Sequence, residues 1–94
     1  MKKNYKITSV SLVETGPLVI DRHKKNKYRI IRFKDLDDGM EYKLTIVNGH
    51  KGASRFEKFP VGTKLCKVVV FSENGKWYVD GNSNFSVIRA TPLF

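Results

Sequence analysis

Apolar and polar residues alternate with a period of two along much of this chain, and the alternation is clearest where the argument needs it most. Between residues 40 and 46, Met40, Tyr42, Leu44 and Ile46 share one face while Glu41, Lys43 and Thr45 share the other. A strand with one packed and one solvated face has this pattern. Glycine follows turn-forming residues at Asp38-Gly39, Asn48-Gly49, Asn74-Gly75 and Asp80-Gly81, with Gly16-Pro17 earlier, and these pairs punctuate the chain more regularly than any helical spacing does. The spacing predicts strands over 5–14, 18–21, 27–34, 40–47, 63–72, 76–80 and 84–90. One helical turn is expected over 54–59, where Ser54 can cap, Glu57 completes a capping box and Pro60 stops the run. Gly49, Gly52 and Gly62 around it suggest a mobile connection.

A chain of 94 residues makes one small domain, 1–94, that buries about 60–65% of its unfolded surface and has room for one core and one principal site. No internal repeat, low-complexity tract or linker divides it. An all-β fold follows, a small barrel of five principal strands with a short helix or loop near residues 52–59 between the third and fourth. That arrangement describes the OB-fold, and an SH3-like barrel fits the same spacing. The segments Phe59-Pro60-Val61-Gly62-Thr63-Lys64-Leu65, Val68-Val69-Val70-Phe71, Gly75-Lys76-Trp77-Tyr78-Val79 and Ser86-Val87-Ile88 resemble the closing strands of small phage- and plasmid-type OB-fold single-stranded DNA-binding proteins. The resemblance covers about the second half of the chain. It implies a non-enzymatic protein that coats single strands, often as a homodimer, in DNA replication, and it carries no binding residue over to this sequence.

Charge sharpens the functional expectation. The formal net charge is +9, which favours a polyanionic partner. Seven of the 18 Lys and Arg residues lie between 22 and 34, namely Arg22, Lys24, Lys25, Lys27, Arg29, Arg32 and Lys34, with Tyr28 and Phe33 interleaved and no acid among them. The run passes from a polar stretch into an alternating one, so the positive charge is expected on an ordered surface. Cations that neutralise phosphates beside rings that stack on unpaired bases form the combination used by single-stranded nucleic acid sites. A Lys-rich run can equally serve as a solvated edge that blocks aggregation.

In strand register Tyr28, Ile30, Arg32 and Lys34 share a face opposite Arg29, Ile31 and Phe33. Neither face is cleanly polar. Tyr28 is taken as the stacking residue with Arg32 and Lys34 beside it and Phe33 as core, and Lys43 on the next strand extends the positive track. Arg55 and Phe56 form a second candidate on the glycine-rich connection, unless Phe56 plugs the barrel end. In Lys76-Trp77-Tyr78-Val79 one aromatic faces the core, Trp77 being favoured, and Tyr78 is expected outside next to Lys76.

Catalytic and metal signals are sparse. His23 and His50 are far apart in sequence and lack a second cysteine or a metal-binding histidine spacing, so zinc is not expected. Asp35-Leu36-Asp37-Asp38-Gly39 has the chemistry of a hairpin turn and lacks the remaining ligands of a calcium loop. No phosphate-cradling loop or nucleophile elbow appears, so neither an enzyme nor a cofactor is expected. Without a Lys-rich amphipathic helix, a lipidation signal or a membrane-length apolar run, a membrane partner is not expected either. The N-terminal stretch lacks an apolar signal core, and Cys66, the only cysteine, is expected as a buried thiol, so a reducing, cytoplasmic compartment follows. The expected partner is single-stranded nucleic acid, DNA ahead of RNA, with weak sequence preference. The competing expectations are a basic protein-interaction module or inhibitor that docks on an acidic partner and a duplex-binding architectural protein. The apolar tail Arg89-Ala90-Thr91-Pro92-Leu93-Phe94 is expected to pack on its own domain.

Overall fold

A computed structural model describes residues 3–88; the tail from Arg89 to Phe94 lies outside the described residues. Strands β1 (Asn4–Thr15), β2 (Val19–Asp21), β3 (Asn26–Asp35) and β4 (Glu41–Val47) precede a short helix α1 (Lys51–Ser54) and a 3₁₀ turn (Arg55–Lys58). Strands β5 (Lys64–Glu73), β6 (Lys76–Val79) and β7 (Ser86–Val87) follow. The expected strands reappear with small boundary shifts; of 84–90, residues 89 and 90 lie outside the described residues, and among the rest Ser86–Val87 is strand. The expected helical turn begins earlier, at Lys51, with His50 rather than Ser54 as the side-chain cap of α1.

Five strands close in the order β1-β3-β4-β6-β5, with β5 pairing back onto β1. Every pairing is antiparallel except β4 with β6, which is parallel. A parallel contact needs a crossover, and α1 with the 3₁₀ turn lies within the crossover from β4. This five-strand barrel with one short helix after its third barrel strand is a small all-β, OB-like barrel.

The core draws on every barrel strand: Val10 and Leu12 from β1, Ile31 and Phe33 from β3, Tyr42, Leu44 and Ile46 from β4, Leu65, Val68 and Val70 from β5, and Val79 from β6. Burying each large apolar side chain contributes about 1.5–3 kcal/mol. A bulge in β5 and a close approach of Gly16 let these residues meet. Thr8 pairs with Val68 but Val10 pairs with Leu65, and Lys67 takes a left-handed φ of 59°, so the apolar run 65–71 reverses phase in its middle. Gly16 passes so close to β3 that a Cβ would sit 2.8 Å from the Ile30 carbonyl oxygen, and its N–H donates to that oxygen at 2.9 Å.

Asp35 anchors a buried polar cluster. Its carboxylate accepts from the Tyr42 hydroxyl at 2.6 Å, Thr8 Oγ1 at 2.9 Å and the Asp37 N–H at 2.8 Å, and Lys6 Nζ lies 3.7 Å away. Burial disfavours its charge, but the hydrogen bonds from Tyr42, the Asp37 N–H, Thr8 and the Asp38 N–H outweigh it and hold the carboxyl at about 2. Burial and the bond to Asp35 push the Tyr42 hydroxyl up to about 12. The aspartate-rich segment 35–39 is thus a turn tied to the core, closed by the Gly39 N–H donating to the Asp35 carbonyl at 3.1 Å. Cys66 is half-buried instead of enclosed, because the phase reversal takes it off the inward face.

Candidate nucleic-acid interface

Strand alternation that sends Tyr42, Leu44, Val70 and Val79 inward turns their neighbours outward. On that outer surface Arg32 stands opposite Lys43, Lys43 opposite Tyr78, Tyr78 opposite Phe71, and Phe71 opposite Tyr5. Five adjacent barrel strands therefore contribute one continuous transverse row of two cations and three rings. Ring centroids are 5.5 Å apart for Phe71 and Tyr78 and 5.8 Å for Tyr5 and Phe71, a spacing at which aromatic pairs support one another. Tyr5 is 60% exposed. Lys3 Nζ lies 4.9 Å from the Phe71 centroid.

A groove of about 490 Å³ runs beside this row, walled by Tyr5, Phe71 and Tyr78 and completed by Lys43, Thr45 and His50. Along β3 and β4 the outer face continues through Ile30 opposite Thr45 and Tyr28 opposite Val47. Arg32 shares its charge with Glu14 at 3.7 Å and Glu41 at 4.0 Å. Lys43 makes no ion pair among the described residues. Lys34 is exposed opposite Glu41.

Arg22, Lys24 and Lys25 occupy the exposed turn of the β2–β3 hairpin. Asp21 organises the turn by accepting from the His23 N–H at 3.0 Å and the Lys24 N–H at 3.2 Å, and Lys25 adopts a positive φ of 56°. Lys27 follows, its side chain exposed and its N–H donating to Asn48 Oδ1 at 2.9 Å. Tyr28 is half-buried on the outer face. Phe33 is fully buried, so this pair adopts the orientation expected of it.

Four expected site residues are placed where they serve the fold. Phe56 is completely buried, edge-on to Phe33 at 5.5 Å and 4.5 Å from Phe85; it plugs the barrel and presents no face to a base. Arg55 donates to the carbonyls of Gly52 at 2.8 Å, Gly81 at 3.1 Å and Ser83 at 2.8 Å, so its guanidinium clamps the segment 80–85 onto the helical turn. Arg29 alternates to the face opposite Tyr28 and donates to Glu57 at 2.9 Å, which neutralises it away from the groove. Trp77 packs edge-on against Tyr42 at 6.1 Å beneath the Lys6 ammonium at 5.1 Å, on the face opposite Tyr78. Trp77 is half-buried and packs against the core beside the buried Val79, as expected of it, while Tyr78 is half-buried on the outer face. Lys76 is exposed at the β5–β6 turn.

Sequence reasoning missed Tyr5 and Phe71 in the row and Lys3 beside it. Phe71 ends an apolar run that passes for core, and only the reversal at Lys67 turns it outward; Tyr5 had a signal, an aromatic between Asn4 and Lys6. No protein-family model matches the chain, and neither a curated protein nor a solved structure is detectably similar to it.

Proposed function

We propose that this protein binds single-stranded nucleic acid across the outer face of its barrel, without catalysis. The observation that carries this reading is the row Arg32, Lys43, Tyr78, Phe71 and Tyr5. Rings beside a groove offer stacking surfaces to unpaired bases, and stacking tolerates any sequence because every base has a π-face. Cations at one end of the row and the basic hairpin turn supply phosphate contacts. Paired bases hide their faces, so single strands are preferred over duplex. The lean toward DNA over RNA and toward a phage or plasmid replication setting rests on the sequence resemblance alone.

With about four to six phosphate contacts, affinity for a single strand should fall roughly 100-fold between 50 and 200 mM salt through counterion release. Fluorescence anisotropy with labelled single-stranded DNA, duplex DNA and RNA of one sequence at both salt concentrations tests this. Salt-sensitive preference for single strands supports the reading. No binding to any of the three at low salt sinks it in favour of an acidic protein partner, and duplex preference favours an architectural role.

A further inference from the structure

Three consecutive large apolar side chains stand in solvent at the β2–β3 hairpin: Leu18, Val19 and Ile20 are 53%, 37% and 60% exposed. Exposed runs of this kind mark contact sites or aggregation liabilities. Pairing places Val19 opposite Tyr28 on the outer face and Ile20 opposite Lys27 on the other, so the ribbon is apolar on both faces here. The β1–β3 ladder ends at Thr15 opposite Ile31, and β2, which pairs only with β3 among the described residues, takes its place; the apolar run therefore lies along an outer edge of the molecule. The turn that follows exposes Arg22, Lys24 and Lys25, with Lys27 just beyond, and none of the four makes an ion pair among the described residues. Asp21, the only acid between Thr15 and Lys34, has its carboxylate turned onto the N–H groups of His23 and Lys24.

We propose that this edge docks on the surface of an anionic lipid bilayer, its apolar run inserted at headgroup depth and its cations on lipid phosphates. Two observations select a bilayer. Apolar side chains exposed on both faces of a ribbon edge suit a fluid interface, which closes around the edge, whereas a protein surface or a nucleic acid covers one face at a time. Apolar insertion beside a cluster of Lys and Arg is also the pair of attractions that holds peripheral proteins on anionic membranes. The sequence has no lysine-rich amphipathic helix, and the ribbon supplies both attractions without one. Backbone chemistry limits the depth: the outer side of β2 carries main-chain groups with no strand partner, and these stay where headgroups and water can bond them. The surface row of Arg32, Lys43, Tyr78, Phe71 and Tyr5 takes no part in the docking.

Co-sedimentation of the full chain with phosphatidylcholine vesicles, with and without phosphatidylserine, tests the docking without nucleic acid, so its outcome is independent of the nucleic-acid reading. Binding to the phosphatidylserine vesicles and little to the neutral ones is expected. Each cation near an anionic surface strengthens binding about fivefold, so Lys24→Ala with Lys25→Ala should weaken it at least about tenfold. Leu18→Ser with Ile20→Ser leaves the net charge unchanged and should weaken binding several-fold, with an unchanged circular dichroism spectrum because both side chains are exposed. A polarity-sensitive fluorophore attached at Ile20→Cys in a Cys66→Ser background should shift to the blue on the anionic vesicles. The same fluorophore at Ile7→Cys, exposed on β1 opposite Val69, should not shift. Binding that Leu18→Ser with Ile20→Ser leaves unchanged is plain adsorption of a basic protein and overturns the proposal. So does the absence of vesicle binding, an unshifted fluorophore at position 20, or a shift that duplex DNA or an acidic protein produces and vesicles do not.

Discussion

At the scale of single residues, side chains of the same type divide between holding the fold and facing outward. Asp35 is the clearest structural case. Its carboxyl is held at about 2 against about 3.9 in an unfolded chain, so its charge contributes about 2–3 kcal/mol of stability at neutral pH. A depressed pKa places that contribution above the unfolded value, and it is lost as pH falls from about 4 to about 2. Urea denaturation between pH 2 and 6 should show a steeper acid loss in the wild type than in Asp35→Asn, and parallel curves would contradict it. Arg55 behaves similarly: Arg55→Ala strands three carbonyl partners and should cost about 1–3 kcal/mol of stability, while oligonucleotide affinity per folded molecule stays within about twofold. Tyr78→Ala should do the opposite. It removes a stacking surface worth about 1–3 kcal/mol of binding, and Tyr78→Phe, which keeps the ring, should restore most of it in anisotropy titrations. The types Asp, Arg and Tyr were legible in the sequence; which of these residues are engaged inside was not, because the partners of Arg55 are backbone carbonyls as far as 28 residues away.

Among elements, the inward face of a strand was legible where the period is strict and not where it breaks. β4 alternates without fault, and Tyr42, Leu44 and Ile46 are buried as its pattern demands. β3 carries both cations and apolars on each face, and its orientation is fixed by Ile31, Phe33 and Asp35 entering the core. β5 illustrates the cost of a bulge to sequence reasoning. A run such as Val68-Val69-Val70-Phe71 has no polar marker of its phase, and a one-residue slip exchanges every side chain between faces. The β2–β3 hairpin turn belongs to this scale as well. Its organisation by Asp21 leaves Lys24 and Lys25 exposed, so replacing both with Ala should weaken binding to all sequences alike and lower the slope of log affinity against log salt by about 1 to 1.5. An unchanged slope would remove the turn from the interface.

For the molecule as a whole, one closed barrel organises both the core and the surface row. No helix among the described residues is long and apolar enough to cross a membrane. Closure matters because Tyr5 sits on the first strand and Phe71 on the fifth, and only the pairing of β1 with β5 makes them neighbours. Taken by itself, the sequence determined the class and order of the elements, the net charge, the turns and most of the strand faces. Those properties follow from side-chain period, glycine chemistry and composition, all of which act over a few residues. Tertiary structure alone decided that Phe56 fills the core, that Arg29 and Arg55 are engaged, and that Arg32, Lys43, Tyr78, Phe71 and Tyr5 form one row. The physical reason is that register and closure set contacts between residues as distant as Tyr5 and Phe71, 66 positions apart, and no local pattern encodes a neighbour at that distance.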